Sequence, residues 1–433
     1  MTLGKASETP PRLRFPWTIR FSRSHFPLEP ATAAGARFVS LAAEHAAMAA
    51  EHASRHDREG TFPLEVFDAM KDSGFLTATV PVSHGGMGVD SIHDLTLGLC
   101  ELGRGDGSTS LAANMHLVFP LAIRWLEPVL AQAAPALADR LDGALSQLAA
   151  GSIAMGNATE LGADLAHPLT EAMPAPDGWL LNGRKAFGTL SPIADWFVVS
   201  CRVRRPDGSF AAASALVRRG SAGQEIAGNW DGLGMRASGS HEIVYRDCFV
   251  PAELLISLDR DWGTTDELAQ ALAIIGNVGL LGTFLGIAEA ARDDAVETLC
   301  ARADSGPGER RETSVEQIVG EMDIELASMR AVVGRTTQLV DRFLYCAHMD
   351  SAAAEVIRDL GSQFQCAKAL VNTRANAVVD RALLATGGGA YMSQHPLSRL
   401  SRDVRAGFFM QPYSVRDARA KVGELSLSDA RSR

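Results

Sequence analysis

His116 stands in Asn114-Met-His116-Leu117, a few residues after the small run Gly107-Ser-Thr-Ser110. An imidazole there can accept or donate a proton near neutral pH, or it can simply satisfy a backbone carbonyl inside a helix. Gln411 carries an amide, which can orient a substrate by hydrogen bonds but cannot act as a general base. Thr159 and Thr189 offer hydroxyls beside short β-type runs, with Phe187 close to the second. Taken singly, Thr159 reads as a turn cap and Phe187 as core. Arg399, Arg402 and Arg405 recur every third residue, so one helix face can grip a phosphate or make ion pairs. His395-Pro396 reads as a helix start. Gly85, Gly86 and Gly88 lack the strand-loop-helix setting of a phosphate loop and are assigned to turn geometry. The six cysteines are scattered with no CxxC pair, which fits a reducing compartment and no metal site.

These residues need elements to position them. Residues 1–30 are basic and proline-rich, and read as a flexible N-terminal tail, with a transit peptide as the alternative. From 31 to 150 the chain reads as helical, with Pro63 opening one helix, Ser91 another, and Asp106-Gly-Ser-Thr-Ser110 capping a third. Residues 151–262 change texture to β-type runs, among them Trp179-Leu-Leu, Trp196 to Val203, Ala211 to Val217 and Glu242 to Tyr245. Asp177-Gly178, Asn182-Gly183 and Pro206-Asp-Gly208 are read as the turns between them.

Residues 263–425 return to helix. Val319, Met322, Leu326, Met329 and Val333 lie on one stripe, as do Ile357, Leu360, Phe364, Ala367, Val371, Ala375 and Val378. With an apolar helix over 269–288 and a shorter one after Pro396, they predict an antiparallel four-helix bundle, followed by a tail over 426–433. Asn277 and the glycines within 269–288 read as a buried, closely packed helix rather than a membrane span. The expected class is therefore mainly α with a central β-domain.

Ordered motifs now carry a resemblance over about residues 62–423. Ala158-Thr-Glu-Leu-Gly162, Asn182-Gly-Arg-Lys-Ala-Phe-Gly-Thr189 with Ala194-Asp-Trp196, Gly232-Leu-Gly-Met-Arg236 with Val250-Pro251, and Arg402-Asp403 resemble motifs of the acyl-CoA dehydrogenase superfamily. The resemblance implies that superfamily's fold: an N-terminal helical domain, a middle β-barrel-like domain and a C-terminal four-helix bundle. It also implies a flavin, FAD or FMN, with Thr159 on its pyrimidine side, Thr189 at N5 and Phe187 beside the ring in place of a tryptophan. Gly387 and Gly388 are what survives of a Gln-x-x-Gly-Gly motif that helps bind the cofactor.

The departures from that family matter as much. Its catalytic Glu stands eight residues beyond the Asp of Arg-Asp, and here that position holds Gln411. No carboxylate occupies 269–288, where other members place the base. The leading expectation is thus the reduced-flavin-dependent monooxygenase branch, which works through a flavin C4a-hydroperoxide, with flavin supplied reduced by a separate reductase. His116 would be the peroxide or substrate partner, Gln411 would face a small organic substrate, and the usual loop His is missing. The alternative is an atypical acyl-CoA dehydrogenase with a relocated or absent base. A third is a catalytically silent flavin- or acyl-binding paralogue. The resemblance further implies a homodimer or homotetramer. A net charge of −10 argues against nucleic acid as a partner, and the composition suits a cytoplasmic enzyme with no membrane partner.

Overall fold

The computed structural model describes residues 25–263, 267–305, 313–346, 353–410 and 413–431. Helices α1 (Ala33–Glu59), α2 (Leu64–Asp72), α3 (Ile92–Gly105), α4 (Gly107–Ala133) and α5 (Pro135–Ala149) come first. Their starts follow the capping chemistry in the sequence: Thr32 accepts from Gly35 N, Ser91 from Asp94 N and Asp106 from Thr109 N. Residues 25–30 belong to this unit rather than to a free tail. Glu29 O faces His93 Nε2 at 3.1 Å, and Leu28 packs on the core.

Eight strands follow: β1 (Ala154–Asn157), β2 (Glu171–Ala175), β3 (Gly178–Gly188), β4 (Trp196–Arg204), β5 (Phe210–Arg218), β6 (Gln224–Ile226), β7 (His241–Pro251) and β8 (Leu255–Asp261). The sheet order is β6-β7-β3-β2-β4-β5-β8, with β1 parallel to β4. Asp177-Gly178 and Pro206-Asp-Gly208 are turns as expected, but Asn182-Gly183 is not. It lies inside β3 at a register shift against β7. Asn182 exchanges hydrogen bonds with Asp247 across the pair, at 3.0 and 2.9 Å. A Cβ on Gly183 would lie 2.2 Å from Thr170 Oγ1, so the glycine serves close approach and not a turn.

The last unit comprises α6 (Glu267–Val278), α7 (Leu280–Ser305), α8 (Thr313–Cys346), α9 (Ala353–Thr386), α10 (Pro396–Asp403) and α11 (Val415–Arg431). The apolar stretch read as one helix is broken at Gly279. The stretch over 267–302 is long and apolar enough to cross a membrane, yet 78% of its most apolar window is buried in the fold. Cβ atoms on Gly282 and Gly286 would sit 2.0 Å from Thr96 O and 2.1 Å from Cys100 O. Those glycines therefore let α7 lie directly on α3.

Ion pairs fix the antiparallel register of the long helices, Glu289–Arg330 and Asp323–Arg292 between α7 and α8, Glu321–Arg381 and Glu325–Arg374 between α8 and α9. The fourth long helix is α11, which runs through residues 426–431, expected to be tail, while the helix after Pro396 is only eight residues. Apolar periodicity could not find α11, because among its described side chains only Val415 and Ala418 are buried. The three-part fold implied by the motifs is the one observed.

Candidate active site

The turn at 158–162 is held by its own Glu160. That carboxylate accepts from Leu169 N at 2.6 Å, Thr170 N at 3.0 Å and Thr170 Oγ1 at 2.6 Å, and pairs with Lys185 Nζ at 2.5 Å. Lys185 and Glu160 side chains are 0% and 4% exposed. Burial pulls the Lys185 ammonium below its ordinary value, and the Glu160 carboxylate opposes that pull. Both residues lie inside the motifs that carry the family resemblance, but a pair 25 residues apart leaves no local signal in the sequence.

The pair sets the strand end beside it. Ala186 N donates to Thr159 O at 2.9 Å, so Thr159 lies alongside the residue before Phe187. Phe187 has φ +53° and Leu190 φ +73°, conformations that cost a side-chain residue energy and cluster where function requires them. Phe187 is 54% exposed, with its ring edge-on to Trp230 at 6.0 Å. Thr189 N donates to Phe187 O, and its hydroxyl shares hydrogens with Ser240 Oγ at 2.8 Å, which in turn meets Ser238 Oγ at 2.6 Å. Thr159, Phe187 and Thr189 are thus brought together through the backbone.

Trp230 connects this wall to the helical units. Its indole donates to Met235 O at 2.8 Å, and Met235 N donates to Asp403 Oδ1 at 2.6 Å. Asp403 follows Arg399, which donates to Asp106 Oδ1 at 2.9 Å. Burial pushes the Asp403 carboxyl up to about 7, against the pull of Arg399. One cluster therefore joins α4, the 230–236 loop and α10. The three spaced arginines grip carboxylates from different elements. Arg402 holds Asp57 with two bonds, and Arg405 reaches Asp380 and Asn376.

His116 is 1% exposed, and both ring nitrogens face backbone: Nε2 is 2.9 Å from Leu76 O, and Ala154 N donates to Nδ1 at 3.2 Å. That pattern is a neutral ring protonated at Nε2, and burial pulls its pKa down to about 4. It seats β1 on the N-terminal helices, away from solvent. His395 Nδ1 accepts from Leu397 N and starts α10. Gly387 and Gly388 are exposed at the end of α9, where Arg302 donates to Thr386 O. Gln411 lies outside the described residues.

The nearest carboxylate beyond the apolar stretch is committed to ion pairs. Glu289, the first carboxylate after residue 288, accepts from Arg104 and Arg330, each at 2.7 Å. An aromatic face, two threonines and a strained strand end fit the flat ring and polar edge of a flavin. No group of histidines, cysteines or acids among the described residues is arranged to hold a metal ion.

Family models for the acyl-CoA dehydrogenase N-terminal, middle and C-terminal domains match residues 37–125, 152–248 and 279–411. The chain belongs to the acyl-CoA dehydrogenase family, and it is a flavin-dependent oxidoreductase. It is 38% identical over 389 residues to amino sugar nitrososynthase RubN8 of Streptomyces rubradiris, covering 89% of this chain and 88% of that one. It is also 38% identical over 396 residues to L-evernosamine nitrososynthase of a Micromonospora strain, covering 90% and 89%. The solved structure of KijD3 with FMN and dTDP-3-amino-2,3,6-trideoxy-4-keto-3-methyl-D-glucose superposes with a TM-score of 0.85 at 34% identity, covering 94% of this chain and 97% of that one.

Proposed function

We propose that this protein is an amine-oxygenating flavoenzyme that uses reduced FMN, delivered by a separate reductase, to oxidise the amino group of a nucleotide-linked amino sugar. The observation that carries the reading is the Phe187–Trp230 wall, an exposed ring held at positive φ beside two threonines. Reduced flavin, when bound, supplies the two electrons by which dioxygen delivers one oxygen atom to the amine and releases the other as water.

In this reading the chain's residues bind, orient and exclude water. Phe187 and Trp230 cover one face of the ring, while Thr159 and Thr189 donate to its polar edge. The Thr189–Ser240–Ser238 hydroxyl chain is free to rotate its hydrogens as that edge gains or loses a proton. Gln411 meets the substrate with an amide, which orients an amine and removes no proton from carbon. The paired state of Glu289 supports the same conclusion against α-proton abstraction. FMN, rather than FAD, is supported by the FMN in the KijD3 structure and by exposed Leu384 where the family has the Gln of its Gln-x-x-Gly-Gly motif.

The test is turnover with FMN, a flavin reductase and a dTDP-linked 3-amino sugar, followed by oxygen uptake and product mass. The reading expects substrate-dependent oxygen insertion that stops when the reductase is omitted. Bleaching of bound oxidised flavin by an acyl-CoA, with no oxidation of the amino sugar, would overturn it.

A further inference from the structure

A stripe of polar residues runs along α9 beside its apolar seam. Asn376, Asn372 and Lys368 recur every fourth residue, and none is more than 3% exposed. All three point at backbone carbonyls of one segment. Asn376 Nδ2 donates to Val404 O at 3.2 Å and Asn372 Nδ2 to Gly407 O at 2.7 Å, while Lys368 Nζ donates to Met410 O and Tyr413 O. The carbonyls recur every third residue.

That match of four against three is geometric. Residues 404–408 form a 3-10 turn, which rises about 2.0 Å per residue and so about 6 Å in three. An α-helix rises about 1.5 Å per residue, and so also about 6 Å in four. Donors and acceptors running in opposite directions therefore stay in step. Gly407 permits the closest approach, since a Cβ there would lie 2.5 Å from Asn372 Oδ1. Arg405 clamps the first rung through Asn376 Oδ1 and Asp380. The segment is continuous with the proposed flavin wall through Asp403, Met235 and Trp230.

We propose that Lys368, Asn372 and Asn376 are positioning residues for the reaction. They fix the register of residues 404–410, the segment that leads into the position proposed to face the substrate, without touching the substrate themselves. This rests on the amine-oxygenating reading for the substrate, but the ladder has its own readout. Burial draws the Lys368 ammonium down to about 7, so an energetically costly group is retained where it holds the carbonyls of Met410 and Tyr413.

The experiment compares full-length wild type with Lys368→Met, and with Asn372→Leu as an independent rung. Hydrogen exchange of the 404–414 segment, FMN binding by fluorescence and turnover of a dTDP-linked 3-amino sugar are read on each. In both variants, exchange around Phe409 N should rise about tenfold or more, FMN affinity should stay within about twofold, and kcat should fall about tenfold with little change in KM. Unchanged exchange in the 404–414 segment of both variants would overturn the ladder. Faster exchange with unaltered kcat, or a loss expressed wholly in KM, would overturn its role in the reaction. If wild type does not oxidise the amino sugar, the functional reading fails, and the exchange arm still decides the ladder.

Discussion

Lys185 Nζ stands 2.5 Å from the Glu160 carboxylate, and both side chains are buried. The two residues come from different motifs, one in the turn before β2 and one in β3. Their bond fixes Thr159 against Ala186 and hence sets the position of Phe187. Lys185→Met leaves Glu160 charged and buried, and breaking such a pair from one side costs about 3–5 kcal/mol. Urea unfolding should show that loss together with weakened FMN binding. Glu160→Gln with Lys185→Met should recover part of the stability, and equal losses in single and double variants would refute the coupling.

Phe187 pays for its exposure with a left-handed backbone. Phe187→Gly removes the strain, worth about 1–3 kcal/mol, but also removes the ring. The expected outcome is a free protein melting no lower than wild type, with FMN affinity reduced about tenfold or more. Calorimetry and fluorescence titration check both halves, and unchanged FMN affinity would place the cofactor elsewhere.

His116 gives a pH dependence with a definite sign. Its folded pKa, about 4, is below the ordinary 6.5, because burial strips water from the charged form of the ring. The stabilisation is fully present above pH 6.5, declines as pH falls, and is lost as pH passes through 4. The span corresponds to about 3 kcal/mol. Urea midpoints between pH 7 and 4 should fall steeply in wild type, and less so in His116→Gln. Parallel curves would show that the ring is not what titrates.

Gly407→Ala places a methyl group 2.5 Å from Asn372 Oδ1 and 3.2 Å from Phe284. Overpacking of this kind costs about 1–3 kcal/mol. Thermal unfolding should register the loss, and turnover should fall more than FMN binding does.

Much of the fold could be read because apolar stripes and caps are local signals. The seams of α8 and α9, the Ser91 and Asp106 caps and the Asp177-Gly178 turn all rest on neighbours in sequence. Other features depend on partners far along the chain. His116 finds Leu76 O and Ala154 N, 40 and 38 residues away, which a motif cannot show. The helix break at Gly279 faces Asn114, whose amide donates to Gly276 O. The α9 ladder had a signal in its four-residue spacing, but polar residues beside an apolar seam ordinarily face water. Counting from Asp403 points to Gln411, but spacing carries no sign of the Gly407 approach to Asn372, 35 residues away.

The central claim, oxygenation of an amine on a reduced-flavin site, is tested most directly with isotopically labelled dioxygen. The enzyme, FMN, a flavin reductase and a dTDP-linked 3-amino sugar are combined under the labelled gas, and the product is weighed by mass spectrometry. The account predicts label on the sugar nitrogen, dependent on the reductase and lost in Phe187→Gly. An unlabelled sugar, with oxidised flavin bleached by an acyl-CoA in the absence of oxygen, would contradict it.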